Sequence, residues 1–147
     1  FNDNDIPTVT LTAGKGEIKV IAGQYQDTKG AANSFTEVHL MTLHLKKGGS
    51  VPFEFSATNN TAILVLSGSV YITGHKEIVG DNYFVLFENE GETFELTANE
   101  DAQVLVLSGA PIHEPIVAQG PFVMNTQAEI TEAIRDYQAG GFGNLED

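Results

Sequence analysis

Short stretches of alternating apolar and polar residues, each about the length of a strand and each closed by a turn signal, run through the chain from Val9 to Leu107. Successive side chains on a strand point to opposite faces, so this pattern buries one face of every segment and wets the other. The segments predicted as strands are Val9–Thr12, Glu17–Ala22, Phe35–Leu45, Thr61–Leu66, Ser69–Thr73, Tyr83–Phe87, Thr93–Thr97 and Gln103–Leu107. Between them stand Gly14–Lys15–Gly16, Lys47–Gly48–Gly49, Ser67–Gly68, Gly74–His75, Gly80–Asp81–Asn82 and Glu90–Gly91. These residues accept left-handed backbone or bond their own main chain, as turns require. Strands recurring about every 8–12 residues describe a sandwich or barrel. A chain of 147 residues is one domain's worth and can bury a proper core.

From Gly109 the texture changes. Ala110-Pro111-Ile112-His113-Glu114-Pro115 is bracketed by prolines and reads as an extended connector that continues to Asn125. Thr126 followed by Glu129 fits a capping box, Ile130, Ile134 and Tyr137 fall at helical spacing, and Gly140–Gly141 closes the segment. The predicted organisation is a single domain over residues 1–147, with a strand body over 8–108, a connector over 109–125 and a short C-terminal helix over 127–138. The helix stripe is expected to dock most simply on the β body.

Charge and composition remove several function classes. Twenty acidic residues face seven basic ones, for a net charge of −13; Lys46–Lys47 is the sole adjacent basic pair and Arg135 the sole arginine. Phosphate backbones and anionic membrane surfaces need clustered Lys and Arg, so neither is an expected partner. No apolar run reaches the roughly 18 residues of a membrane span. Phe1–Asp5 is polar and acidic, unlike a signal peptide, and a start at Phe rather than Met suggests a piece trimmed from something longer. The chain has no cysteine, which rules out disulfides, thiolate metal sites and a cysteine nucleophile. Together these features lead to an expected cytoplasmic location.

One stretch carries the spacing of a known metal-site template. Starting from Gly49, it places Phe55, Ala57 and Thr61 in turn before ending on Gly68. Further on, Asn89-Glu90-Gly91 is followed at the same kind of offset by Phe94. This resembles the two motifs of cupins, the double-stranded β-helix family: Gly, five residues, His-x-His, three or four residues, Glu, six residues, Gly; then Pro-x-Gly-x-x-His. The resemblance implies an all-β cupin fold, a jelly-roll β-sandwich with a short C-terminal helix. It also implies that Phe55, Ala57, Thr61 and Phe94 stand where a cupin holds its metal ligands. Divalent ions need imidazole nitrogen or carboxylate oxygen. Phe and Ala supply neither and a Thr hydroxyl is a poor substitute, so no metal is expected here.

The remaining polar residues build no obvious second site. His39 and His44 lie an odd number apart on one predicted strand and so face opposite ways. His39 shares its face with Glu37 and Met41, and each histidine is expected at a rim or satisfied in the core. His75 sits in a turn and His113 in the connector beside Glu114. Asn59-Asn60-Thr61 matches a glycosylation sequon by chance, and Glu88–Glu92 reads as a solvated turn.

The C-terminal third is more distinctive. Residues 110–126, with Gly120-Pro121-Phe122-Val123-Met124-Asn125 at their heart, then Glu129-Ile130 and Ala133-Ile134-Arg135-Asp136-Tyr137, strongly resemble the end of the pirin family. Asp5-Ile6-Pro7 and Lys19-Val20-Ile21-Ala22-Gly23 are similar to the opening of that family's C-terminal domain. Pirins are bicupins, so the resemblance implies a C-terminal half whose missing N-terminal cupin carries iron on three His and one Glu. Quercetin 2,3-dioxygenase-like activity would belong to that half. The expected partners are the N-terminal cupin of the same protein, other proteins or a second copy, and no cofactor is expected in this domain. Two alternatives are a metal-free pocket in which Phe55 and Phe94 hold a flat aromatic such as a flavonoid, and a cupin enzyme with a histidine base. The second needs an acid beside His39 or His44, and no such neighbour is evident in the sequence.

Overall fold

The computed structural model describes residues 2 and 5–143; Phe1, Asp3 and Asn4 in the two N-terminal stretches singled out above, and residues 144–147, lie outside it. The described chain divides into two compact units, one ending at Pro111 and the other beginning at Ile112. The boundary falls inside the proline-bracketed stretch, in what was expected to be a single domain.

The first unit is an antiparallel β-sandwich. Its larger sheet holds β1 (Thr8–Thr10), β2 (Gly16–Ala22), β5 (Val38–Leu45), β7 (Asn60–Ser67), β9 (Phe84–Leu86) and β11 (Ala102–Gly109), in the order β1-β2-β5-β11-β7-β9. The smaller sheet holds β6 (Ser50–Glu54), β8 (Val70–Ile72) and β10 (Thr93–Ala98), in the order β6-β10-β8. A two-stranded arm, β3 (Gln24–Tyr25) with β4 (Thr28–Lys29), completes the unit. Alternation does the work of assembly. Ile18, Val20, Met41, Leu43, Ile63, Val65, Val104 and Val106 from the large sheet are fully buried with Val51, Val70 and Leu96 from the small one. Burying one such side chain stabilises the fold by about 1.5–3 kcal/mol.

Several boundaries differ from expectation. The strand predicted from Phe35 begins at Val38, and those predicted as Val9–Thr12, Ser69–Thr73 and Tyr83–Phe87 occupy Thr8–Thr10, Val70–Ile72 and Phe84–Leu86. β6 was not predicted. Pro52 disguised it, yet β6 is an edge strand, where proline is tolerated.

The glycines of the cupin frame have steric reasons to stay. Gly68 has φ +75, and a Cβ there would overlap the Asp101 carbonyl oxygen; a Cβ on Gly49 would overlap that of Lys15. The frame therefore serves the fold whether or not a metal is bound.

In the second unit the expected connector contains a hairpin, β12 (Val117–Gln119) paired with β13 (Phe122–Met124). Gly120, at φ +59, opens its two-residue loop with Pro121, and glycine is what such a loop demands at its first position. Helix α1 (Gln127–Gln138) matches its prediction, down to the reciprocal capping box between Thr126 and Glu129. It lies against β12 and β13, elements that the predicted docking on the β body did not include. Ile130 and Ala133 are buried, while Tyr137 is largely exposed and sits edge-on to Phe122 at 6.1 Å.

Candidate functional site

The four template positions come together. Phe55, Ala57, Thr61 and Phe94 line one cavity of about 50 Å³, along with Asn59 and Phe87. Its aromatic residues belong to one cluster: Phe87 and Phe94 lie 4.4 Å apart between ring centroids, and Phe53, behind the lining, joins Phe94 at 5.3 Å to Phe55 at 5.8 Å. These are distances at which offset rings attract. Three of the four positions carry no donor atom. The fourth, Thr61, spends its hydroxyl on Ser108 at 2.9 Å. This set does not fit an iron or any other divalent cation, and among the described residues no group of three His, Asp or Glu could hold one.

What occupies the polar side of the site is a hydrogen-bonded chain. Asn59, only 4% exposed, donates from its amide to Ser108 Oγ at 3.4 Å and to Glu37 Oε1 at 2.8 Å. Its place is set by a turn, since the Asn59 N–H bonds the Ser56 carbonyl. A buried amide so committed offers no glycosylation site, whatever the sequon suggests. The chain ends on Glu37, whose side chain is 51% exposed. The Asn59 amide, and secondarily His39, hold the Glu37 carboxyl below the usual carboxylate range.

His39 lies beside that carboxylate, with Nε2 3.3 Å from Glu37 Oε1. The expectation that no acid neighbours this histidine is corrected here: Glu37 precedes β5 but keeps its two-residue stagger, so both side chains reach the same face. Nδ1 lies 3.3 Å from both the N–H and the carbonyl oxygen of Gln24, so the Gln24 main chain engages that nitrogen in either tautomer. The ring also leans on Phe55, 5.0 Å between centroids. Gly23 makes this approach possible, because a Cβ there would come within 2.6 Å of His39 Nδ1. With both nitrogens engaged, by Gln24 and by Glu37, His39 is placed to orient the Glu37 carboxylate. His44, on the other face, is exposed.

Glu37 and His39 open onto a second, larger cavity of about 840 Å³. Tyr25, Phe53, Phe55 and Phe94 contribute its apolar surface, and Glu37, Glu54, Glu92 and Glu95 its charge; neither Lys nor Arg lines it. Burial pushes the Tyr25 hydroxyl up, so it stays protonated. Glu92, expected in a plain solvated turn, borders both cavities. Tyr25, Asn59 and Ser108 escaped prediction. Only Ser108, a polar residue on the inward face of an apolar strand, left a signal that could have been noticed.

A jelly-roll of this topology, with a glycine frame around converging strands, defines a cupin. Residues 40–143 match the Pirin C-terminal cupin domain, and the chain belongs to the pirin family. Two proteins of Pseudomonas aeruginosa named as candidate quercetin 2,3-dioxygenases are 38% and 37% identical over 140 and 144 residues. Those alignments cover 95% and 92% of this chain but 48% and 49% of the relatives. A crystal structure of quercetin 2,3-dioxygenase from Acinetobacter baumannii superposes with a TM-score of 0.86 at 38% identity, over 99% of this chain and 50% of that one. The chain thus spans about half the length of the relatives it matches.

Proposed function

We propose that this domain is the metal-free half of a two-cupin protein, a structural and interaction domain for an N-terminal cupin that carries iron and quercetin 2,3-dioxygenase-like chemistry. The observation that carries this reading is the side-chain set at the ligand positions: Phe55, Ala57 and Phe94 without donors, and a Thr61 hydroxyl already bonded to Ser108. The half-length match to relatives named for that activity supports it. Cytoplasmic residence and partnership with the N-terminal cupin belong to the same proposal. Elemental analysis after incubation with ferrous iron and chelation tests it. The expected result is no retained iron and no quercetin turnover by this chain; one equivalent of tightly held metal would overturn it.

A second reading has its own support. The larger cavity combines an aromatic wall with one carboxylate fixed from behind by a buried amide, and binding sites are typically apolar with a few placed polar groups. Under it, the domain binds a small aromatic molecule, flavonoids among them, without metal. Thermal-shift measurements with planar aromatics test this: stabilisation supports it, and no shift with any of them counts against it.

A further inference from the structure

The larger cavity is selective in what it offers a ligand. Its floor is aromatic, its charged lining is acidic, and its single histidine has both nitrogens engaged. Glu37 is the best-defined polar group within it. Asn59 holds one carboxylate oxygen at 2.8 Å from a position almost fully buried, and His39 approaches the same oxygen at 3.3 Å. Neither bond engages Oε2. The hydrogen bonds favour the ionised form of Glu37, so the group is a fixed negative charge at neutral pH.

A fixed carboxylate facing aromatic rings suits an ammonium group joined to an apolar body. The rings' negative faces attract the cation and the carboxylate accepts its N–H bonds. A carboxylate or phenolate ligand would meet four glutamates and no counter-charge. We propose that this cavity binds small organic cations, an ammonium on a flat aromatic group, with Glu37 as anionic anchor and the Phe53–Phe55–Phe94 wall receiving the ring. The buried chain Thr61–Ser108–Asn59, which starts at one of the template positions, then has a purpose: it holds a carboxylate at the mouth. This rests on the small-molecule reading of the cavity and narrows it to one charge class.

Three probes that share a phenethyl body test the proposal on the full chain: phenethylamine, phenethyl alcohol and 3-phenylpropionate, titrated by NMR while the His39 and Phe55 resonances are followed. The expected order is amine, then alcohol, then acid, with about tenfold between the first two at low salt, the equivalent of one well-placed charge contact. That margin should shrink as ionic strength rises. Glu37→Gln keeps a hydrogen-bond acceptor for Asn59 and should cut the amine's margin over the alcohol severalfold. If the alcohol binds as tightly as the amine to the unmodified chain, or if Glu37→Gln leaves the amine's margin intact, charge selectivity is overturned and the small-molecule reading stands. If none of the three perturbs these resonances, both fall.

Discussion

At the scale of single residues, the glycine frame of the site answers to the steric demands of the backbone around it. Gly49 and Gly68 persist because backbone passes too close to admit a side chain. Of the template positions, Thr61 belongs to a polar chain whose pivot is Asn59, buried and bonded to Glu37 on one side and Ser108 on the other. Removing a partner from a buried pair costs about 1–3 kcal/mol through the group left unsatisfied. Asn59→Ala should therefore lower unfolding stability in urea by that amount, whereas Asn60→Ala, at an exposed neighbour in the same sequon, should change it by less than about 0.5 kcal/mol. Equal effects would mean that the chain carries no stabilisation. The donor-poor side chains at the positions that the cupin resemblance marks were legible in the sequence, since residue type at a counted offset is a local property. The Glu37–Asn59–Ser108 chain was not legible, because it joins residues 22 and 49 positions apart that only the register of β5, β11 and β7 brings side by side.

At the scale of elements, local signals succeeded where one residue type dominates and failed where two compete. Strands β2, β7 and β11 were foreseen because apolar residues dominate their inward positions, and α1 because its cap and stop are sequence-local. β6 alternates just as cleanly, Val51 and Phe53 inward against exposed Ser50, Pro52 and Glu54, but proline argued against a strand until its edge position was known. The β12–β13 hairpin was hidden by short strands between prolines. The capping box makes a pH-dependent prediction. Glu129 accepts from the backbone N–H groups of Asn125 and Thr126 and from the Thr126 hydroxyl, and these bonds lower its carboxyl below the ordinary value. A carboxyl lowered on folding contributes fully above its unfolded value, and that contribution is lost as pH falls through the folded one. The Asn125 and Thr126 amide resonances should therefore titrate at a pH below the usual glutamate range, and Glu129→Gln should abolish that titration. An ordinary glutamate midpoint would show that the box is not formed in solution.

At the scale of the whole molecule, the first unit buries its core well, and of the two edges of its larger sheet the β9 edge carries large exposed apolar side chains. β9 pairs with β7 on one side and with no described strand on the other. It carries Phe84 and Leu86 at 60% and 67% exposure, beside an exposed Tyr83. Leu66 is exposed next to it because the β11–β7 register shifts there, pairing Gln103 with Ser67 but Val104 with Val65 and leaving Leu66 as the extra residue of a bulge. Edge strands are ordinarily blunted by charge or proline, and contiguous exposed apolar surface marks an interaction site. None of Tyr83, Phe84, Val85 and Leu86 is charged, in a chain with 20 acidic residues to place elsewhere. If this edge is the face that the domain presents to a partner, the chain on its own should satisfy it with a second copy. Sedimentation velocity is then expected to show concentration-dependent self-association. Phe84→Lys with Leu86→Lys should return the chain to monomer without lowering its Tm, since both side chains leave the core intact. A monomer at every concentration, despite a net charge damped by salt, would remove β9 as the interface and weaken the interaction role proposed for the domain.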